Sequence, residues 1–390
     1  MRPIEEALNP TLKNIKPSMI RRFFDIAAEM DDVISLGIGE PDFTTPWAIR
    51  EEGIRSLEKG LTHYTSNAGI TALREELCRY FKRKYDLHYT KDQALITVGG
   101  SEAIDLTIRA LVSPGDEVIV PEPSFVCYTP LASLAGATPV VIPCKEKDNF
   151  CLTAEDLKAA ITEKTKLLIL PFPNNPTGAV MSREQLMEIA EVLKDTDIFV
   201  LSDEIYSELV YTDTPHIPFS GIEGMYERTI IVNGFSKSYA MTGWRLGYAL
   251  GPQPLIALMT KLHQFAIMSA PTQSQFAAIR ALKECDGDVI HMRDSYNQRR
   301  LFIYRALLDM GFSCFEPGGA FYIFPNITSS GLSSEEFAER LLREQHVAVI
   351  PGNAFGPAGE GHVRICYASS VENLKEAVRR MQVFMESLKK

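Results

Sequence analysis

Read for the spacing of apolar positions, the middle of this chain alternates short β-branched runs with amphipathic stretches. The runs 94–98, 117–120, 139–142, 167–170, 198–201, 229–232 and 247–250 read as strands. Apolar residues recur with a helical period in 73–84, 102–112, 183–193 and 274–283. Apolar strands alternating with helices predict an α/β fold, a mostly parallel sheet covered on both faces.

After about residue 287 the pattern changes to a long polar helix near 292–310, strands at 320–324, 347–350 and 363–367, and a last helix over 371–388. This reads as a smaller α+β domain, with LGIGEPDF (36–43) packing against it. The expected division is therefore a large domain over 46–287 and a small one built from 1–45 plus 288–390. No internal repeat or low-complexity tract interrupts it.

Composition adds exclusions. With 390 residues, 45% hydrophobic and 23% charged, the chain has the makeup of a globular protein with a large core. A formal net charge of −10 leaves no basic field for nucleic acid or anionic membrane, so any bound anion needs a local site. No apolar stretch reaches the ~18 residues of a spanning helix, and MRPIEEALNP lacks a signal-peptide pattern, which predicts a cytoplasmic protein. Seven scattered cysteines without a C-x-x-C pair, and seven dispersed histidines, predict neither a disulfide framework nor a metal site.

In open α/β sheets ligands sit outside the carboxyl ends of the strands, so polar residues directly after apolar runs carry the candidate chemistry. ALITV leads into Gly99-Gly100-Ser101-Glu102 and a helix, where free N–H groups and the dipole make a phosphate cradle; a simple cap has the same look. KLLIL leads into PFPNNPTG, whose Pro and Gly fix a tight turn and aim an amide above the sheet. IFVL leads into Ser202-Asp203-Glu204. A buried Asp203 needs a cationic or protonated partner, such as a pyridine nitrogen, or else serves as a cap. TIIV leads into NGFSK, where Lys237 has no flanking charge; a desolvated lysine loses its proton and attacks carbonyls, although a strand-end lysine reaching solvent fits the same string. Arg245 forks to phosphate oxygens or joins a salt bridge.

Together, in order and spacing, these motifs resemble the class I/II aminotransferases of the fold type I pyridoxal-phosphate enzymes, particularly the bacterial and archaeal aspartate/aromatic aminotransferase group. The resemblance covers essentially the whole chain, from LGIGEPDF through HYTSNAGITALREEL, NNPTG, SDEIYSELVY and SKSYAMTGWRLGY to GGAFYIFP and GEGHVRICYA. It implies pyridoxal 5'-phosphate carried as a Schiff base on Lys237, which then moves the substrate α-proton. Asp203 would pair with the pyridine nitrogen, while Tyr206 and Asn175 would hydrogen-bond the phenolate oxygen. The backbone of Gly100, Ser101 and Glu102, with Ser236 and Arg245, would hold the phosphate, and Phe125 would stack on the ring. Arg364 would clamp the substrate α-carboxylate, helped by Asn175 and the backbone at Gly39.

The resemblance further implies a homodimer in which Tyr64 reaches the neighbouring subunit's phosphate. Its expected reaction moves an amino group from an L-amino acid to a 2-oxo acid through pyridoxamine phosphate, with glutamate and 2-oxoglutarate as one pair. Dicarboxylate-specialised members carry a lysine where this chain has Ser101, which implies broad specificity. A β-lyase or decarboxylase on the same scaffold is the alternative. A ligand-sensing regulator would need a DNA-binding module, for which residues 1–45 read as too little.

Overall fold

The computed structural model describes residues 4–17 and 19–388. In chain order its strands are β1 (Ile34–Ser35), β2 (Ala94–Thr97), β3 (Glu117–Glu122), β4 (Thr138–Pro143), β5 (Thr165–Leu170), β6 (Phe199–Asp203), β7 (Thr229–Gly234), β8 (Gly247–Leu250), β9 (Tyr322–Ile323), β10 (Val347–Ala348), β11 (Ile350–Pro351) and β12 (Val363–Cys366). Among the described residues, seven of them form the main sheet in the order β2-β8-β7-β6-β5-β3-β4. Its strand pairs are parallel except where β8 runs against β2 and β7.

Successive side chains of a strand face opposite ways, and here both faces are dry. On β7, Ile231 packs with Leu73, Leu77 and Ala277, from helices Thr71–Tyr85 and Thr272–Glu284. Its neighbours Ile230 and Val232 pack instead with Ala103, Leu106 and Ile256, from helices Gly100–Leu111 and Gln253–Ala266. Burial on both faces is why these runs are apolar throughout rather than alternating. Each such side chain removed from water contributes roughly 1.5–3 kcal/mol.

The strands beyond residue 320 form smaller sheets, β1-β10 and β11-β12-β9. The single strand expected at 347–350 is two. Val347 and Ala348 pair with β1, in parallel, whereas Ile350 and Pro351 pair with β12, antiparallel. Apolar content alone does not reveal a change of partner. The long polar helix also starts earlier than expected, spanning Asp286–Asp309. Asp286 and Asp288 in its first turn suit the positive end of a helix, although they interrupt the apolar period. Helices Trp47–Glu58, Gln253–Ala266 and Ser334–Gln345 were not expected, yet the last carries a legible start signal, the capping box of Ser333 and Glu336.

The topology gathers one functional rim. Because β2, β3, β5, β6 and β7 run the same way, their carboxyl ends lie together, and the reversed β8 begins at that rim. Gly247 allows β8 to approach: a Cβ there would stand 2.5 Å from the Gly99 carbonyl carbon and 2.6 Å from the Gly100 nitrogen. No helix among the described residues is long and apolar enough to cross a membrane.

Candidate active site

A cleft of about 580 Å³ opens at this rim. Its lining includes Gly100, Ser101, Phe125, Asn175, Asp203, Tyr206, Ser236, Lys237 and Arg245, joined by Gly39 and Arg364 from segments far away in sequence. At one end, Gly99 takes φ 80° ahead of helix Gly100–Leu111, whose first N–H groups have no intrahelical partner. A Cβ at Gly99 would lie 2.7 Å from Arg245 Nη2, so the guanidinium rests against the same turn. The start of that helix, Arg245 and Ser236 line this end of the cleft, where they could hold a dianion.

Asp203 ends β6 at the floor of the cleft, 6% exposed. Its Oδ2 accepts the Tyr128 hydroxyl at 2.7 Å and its Oδ1 accepts the Ile205 N–H at 3.2 Å. Both donors are neutral. Burial pushes the carboxyl up to about 6 against the pull of these two bonds, and nearby Glu204 adds to the rise. Tyr206 lies not on a helix but in a turn closed by the Leu209 N–H to its carbonyl. Its hydroxyl meets that of Tyr322 at 2.8 Å.

Lys237 follows β7 in a turn, and its Nζ donates to the Gly39 carbonyl at 2.5 Å. Burial lowers its ammonium to about 8; Glu40 opposes this, while Arg364 and Arg245 add to it. A lysine in that range carries a sizeable neutral, nucleophilic fraction near neutral pH. Arg364 leaves β12 toward the same space. Its Nη1 donates to Asn175 Oδ1 at 2.9 Å, its Nη2 donates to the Gly37 carbonyl, and its Nε is buried without a partner. In the NNPTG turn the two amides divide the labour. Asn174 Oδ1 accepts from the Thr177 N–H and hydroxyl, building the turn that leaves Asn175 to meet Arg364.

Two expected residues stand apart from the cleft lining. The Glu102 side chain is held elsewhere, accepting from Val98 N–H and meeting Nδ1 of the buried His263 at 2.7 Å. Tyr64 is 80% exposed on the surface of the single chain. The structure also adds Tyr128, Tyr322 and Phe355, whose contacts reach Asp203, Tyr206 and Arg364. Tyr128 and Tyr322 lie within the strings PSFVCY and GGAFYIFP, but nothing local marks an aromatic residue as a partner rather than a core residue.

Residues 31–381 match the family described as aminotransferase class I and II. The chain belongs to this family. The Bacillus subtilis protein YugH is 53% identical over 97% of this chain and 98% of its own length. An aspartate aminotransferase of Pyrococcus abyssi is 44% identical, covering 98% and 99%. The crystal structure of an aromatic aminotransferase from Pyrococcus horikoshii superposes with a TM-score of 0.90 at 42% identity, covering 95% of this chain and 99% of that one.

This chain is thus a pyridoxal-phosphate-dependent aminotransferase on the fold type I scaffold. The residues present fit the cofactor. A buried carboxylate with only neutral donors suits a protonated ring nitrogen, the glycine turn with Arg245 suits a phosphate, and Lys237 suits an aldehyde. Arg364 lines the cleft and suits a substrate carboxylate.

Asp203 makes the first prediction. Its folded value, about 6, stands above the ~3.9 of an unfolded aspartate, so the fold binds the proton more tightly. Ionisation therefore destabilises the empty fold, by nothing below about pH 4 and in full above about pH 6. Asp203→Asn should raise the melting stability of the apoenzyme at pH 7.5 by on the order of 2 kcal/mol, a gain that vanishes at pH 4. Cofactor affinity should fall in the same variant. Equal stability of the two apoenzymes at pH 7.5 would contradict the argument.

Proposed function

We propose that the enzyme moves amino groups between L-amino acids and 2-oxo acids with broad side-chain tolerance, glutamate and 2-oxoglutarate being one pair, in cytoplasmic amino-acid metabolism. The amino group rests on the cofactor, as pyridoxamine phosphate, between two half-reactions. One observation carries the reading: Lys237 Nζ donates to the carbonyl of Gly39, and Arg364 Nη2 donates to that of Gly37, two residues away. A carboxylate held on Arg364 therefore leaves its α-carbon beside Lys237.

When bound, pyridoxal phosphate supplies the ring that accepts the electrons left at the α-carbon. The chain chooses the bond. Arg364 and Asn175 fix the carboxylate, which turns the α C–H toward Lys237, the base that takes the proton. A decarboxylase would need the carboxylate released from that clamp, so the arrangement favours α-proton removal over decarboxylation; a β-lyase begins with the same proton step and is separated by the spectral test below. Asp203 holds a proton on the ring nitrogen, and Tyr206 with Asn175 donates to the ring oxygen. Gly100, Ser101, Glu102 by its N–H, Ser236 and Arg245 hold the phosphate, with Phe125 against the ring.

Support for a homodimer comes from the surface near Tyr64. The segments around 63–67 and 268–272 are tied by Asn67 Nδ2 to the Met268 carbonyl and Thr272 to the His63 carbonyl. They and the chain just before them expose Tyr64, Phe265 and Ile267, a combination that suits a second copy. In this reading Tyr64 completes the partner's phosphate site.

The reading makes three predictions. Lys237→Ala should abolish the pH-sensitive visible absorption of the bound cofactor and lower turnover by about 10²-fold or more. The unaltered enzyme, given glutamate without a 2-oxo acid, should convert to the pyridoxamine spectrum; release of carbon dioxide or of a side-chain fragment would identify a decarboxylase or lyase instead. Mixed Tyr64→Phe and Lys237→Ala subunits should regain activity in hybrids, an outcome excluded if fully active monomers sediment alone.

Ser101 sets a fourth. A serine hydroxyl offers a distal carboxylate one neutral hydrogen bond, whereas an ammonium offers a charge-assisted bond of roughly twice the strength. Ile20, Ile104 and Phe125 line the cleft alongside Ser101 and suit apolar side chains. Ser101→Lys should raise kcat/KM for aspartate relative to phenylalanine by about ten-fold, corresponding to ~1–2 kcal/mol. A thousand-fold aspartate preference in the unaltered enzyme would show that another residue reads the distal carboxylate.

A further inference from the structure

We propose that Tyr322 is a positioning residue serving both halves of the site: its hydroxyl orients Tyr206, and its ring face orients Arg364. The inference rests on the site reading given above and deepens it. Tyr322 lies on β9, opposite Cys366 of β12, so Arg364 is its diagonal neighbour on the same face. The Arg364 guanidinium stands 4.6 Å from the centre of the Tyr322 ring and 4.8 Å from that of Phe355. Both distances lie within the range of cation–π attraction. With two rings against it and Asn175 and Gly37 accepting from its Nη atoms, the fork has little freedom to turn.

The hydroxyl does the second task. Tyr206 and Tyr322 meet at 2.8 Å between hydroxyls, their rings edge to face at 5.7 Å. Each phenol owns one proton. If Tyr206 spends its proton on the ring oxygen of the cofactor, the proton between the two tyrosines must come from Tyr322. A hydroxyl that accepts one hydrogen bond becomes a stronger donor of the next, so Tyr322 strengthens the grip of Tyr206 on that oxygen. Burial raises both phenols well above their ordinary range, which keeps both protons in place at neutral pH.

The titratable and charged groups facing the pair are Arg364 and Cys366 from β12, Glu40 from the N-terminal loop and Tyr128 beneath Tyr206. Gly39 packs directly on the same hydroxyl: a Cβ there would lie 2.3 Å from Tyr322 Oη. The segment that holds Lys237 and the two groups that hold substrate and ring are thereby referenced to one side chain.

Two substitutions separate the tasks. In the loaded enzyme, Tyr322→Phe should shift the pH midpoint of the visible absorption upward by roughly 0.5–1 unit, the equivalent of one hydrogen bond. The same variant as apoenzyme should bind 3-phenylpropionate, a carboxylic acid with no amino group to transfer, within about two-fold of the unaltered protein by calorimetry. Tyr322→Leu should shift the midpoint equally and also weaken that binding by about five-fold or more, because the ring face is gone. Tyr206→Phe is the reference. If it moves the midpoint and Tyr322→Phe does not, the relay is wrong while the site reading stands; if Tyr206→Phe moves nothing, the site reading fails and this inference with it. Equal acid binding by the Phe and Leu variants would overturn the role of the ring. Tyr322→Phe alters one oxygen, so the relay is tested even if Tyr322→Leu does not fold.

Discussion

The site is organised around a buried carboxylate to which the chain itself supplies only neutral donors. Asp203 ends a strand of the main sheet and is buried, with only a tyrosine hydroxyl and a backbone N–H as donors. Burying a charge without a cation costs several kcal/mol, a cost that most buried carboxylates avoid by pairing. In the proposed reading, the positive charge that answers it is the protonated ring nitrogen of the cofactor. On that reading, binding would relieve the cost of the buried charge.

Positions around Asp203 follow from sheet direction. Parallel strands present their carboxyl ends at one rim, so the glycine turn after β2, the amide turn after β5, Asp203 at the end of β6 and Lys237 after β7 converge without any being adjacent in sequence. The antiparallel β8 brings Arg245 to the same rim from the other direction, and Gly247 removes the Cβ that would block it. The remaining cleft residues come from outside the sheet. Arg364 on β12 and the 37–39 segment meet above the rim, where one hydrogen bond goes to Lys237 and another to Arg364.

Legibility in the sequence followed the range of the forces involved. The strand after Ala94, the strand ending at Asp203 and the helix Arg183–Leu193 were readable because burial on a face imposes a local period. Helix Trp47–Glu58 was not, since its exposed Trp47, Ile54 and Leu57 blur the division into two faces. Strand 347–350 divided because its two halves found different partners, a choice made by segments as distant as Ile34 and Arg364. Among the cleft-lining residues, Gly100, Asn175, Asp203 and Lys237 were candidates by their place after apolar runs, whereas the role of each came from the family resemblance. Tyr128, Tyr322 and Phe355 were missed because an aromatic side chain in a buried segment looks the same whether it fills the core or holds a polar group.

The sequence by itself determined the chemical inventory: a lysine without charged neighbours, an aspartate at the end of an apolar run, a glycine turn opening a helix and an arginine in a late strand, in an order that marks the family. Only the tertiary structure decided the environment of each. Whether Lys237 sheds its proton near pH 8, and whether Asp203 holds one to about pH 6, depends on burial and on charges brought from elsewhere in the chain. Tyr322 likewise stands between Tyr206 and Arg364 only because β9 pairs with β12. Residue type is a local property, whereas desolvation and electrostatic coupling depend on distance in space, which folding alone sets.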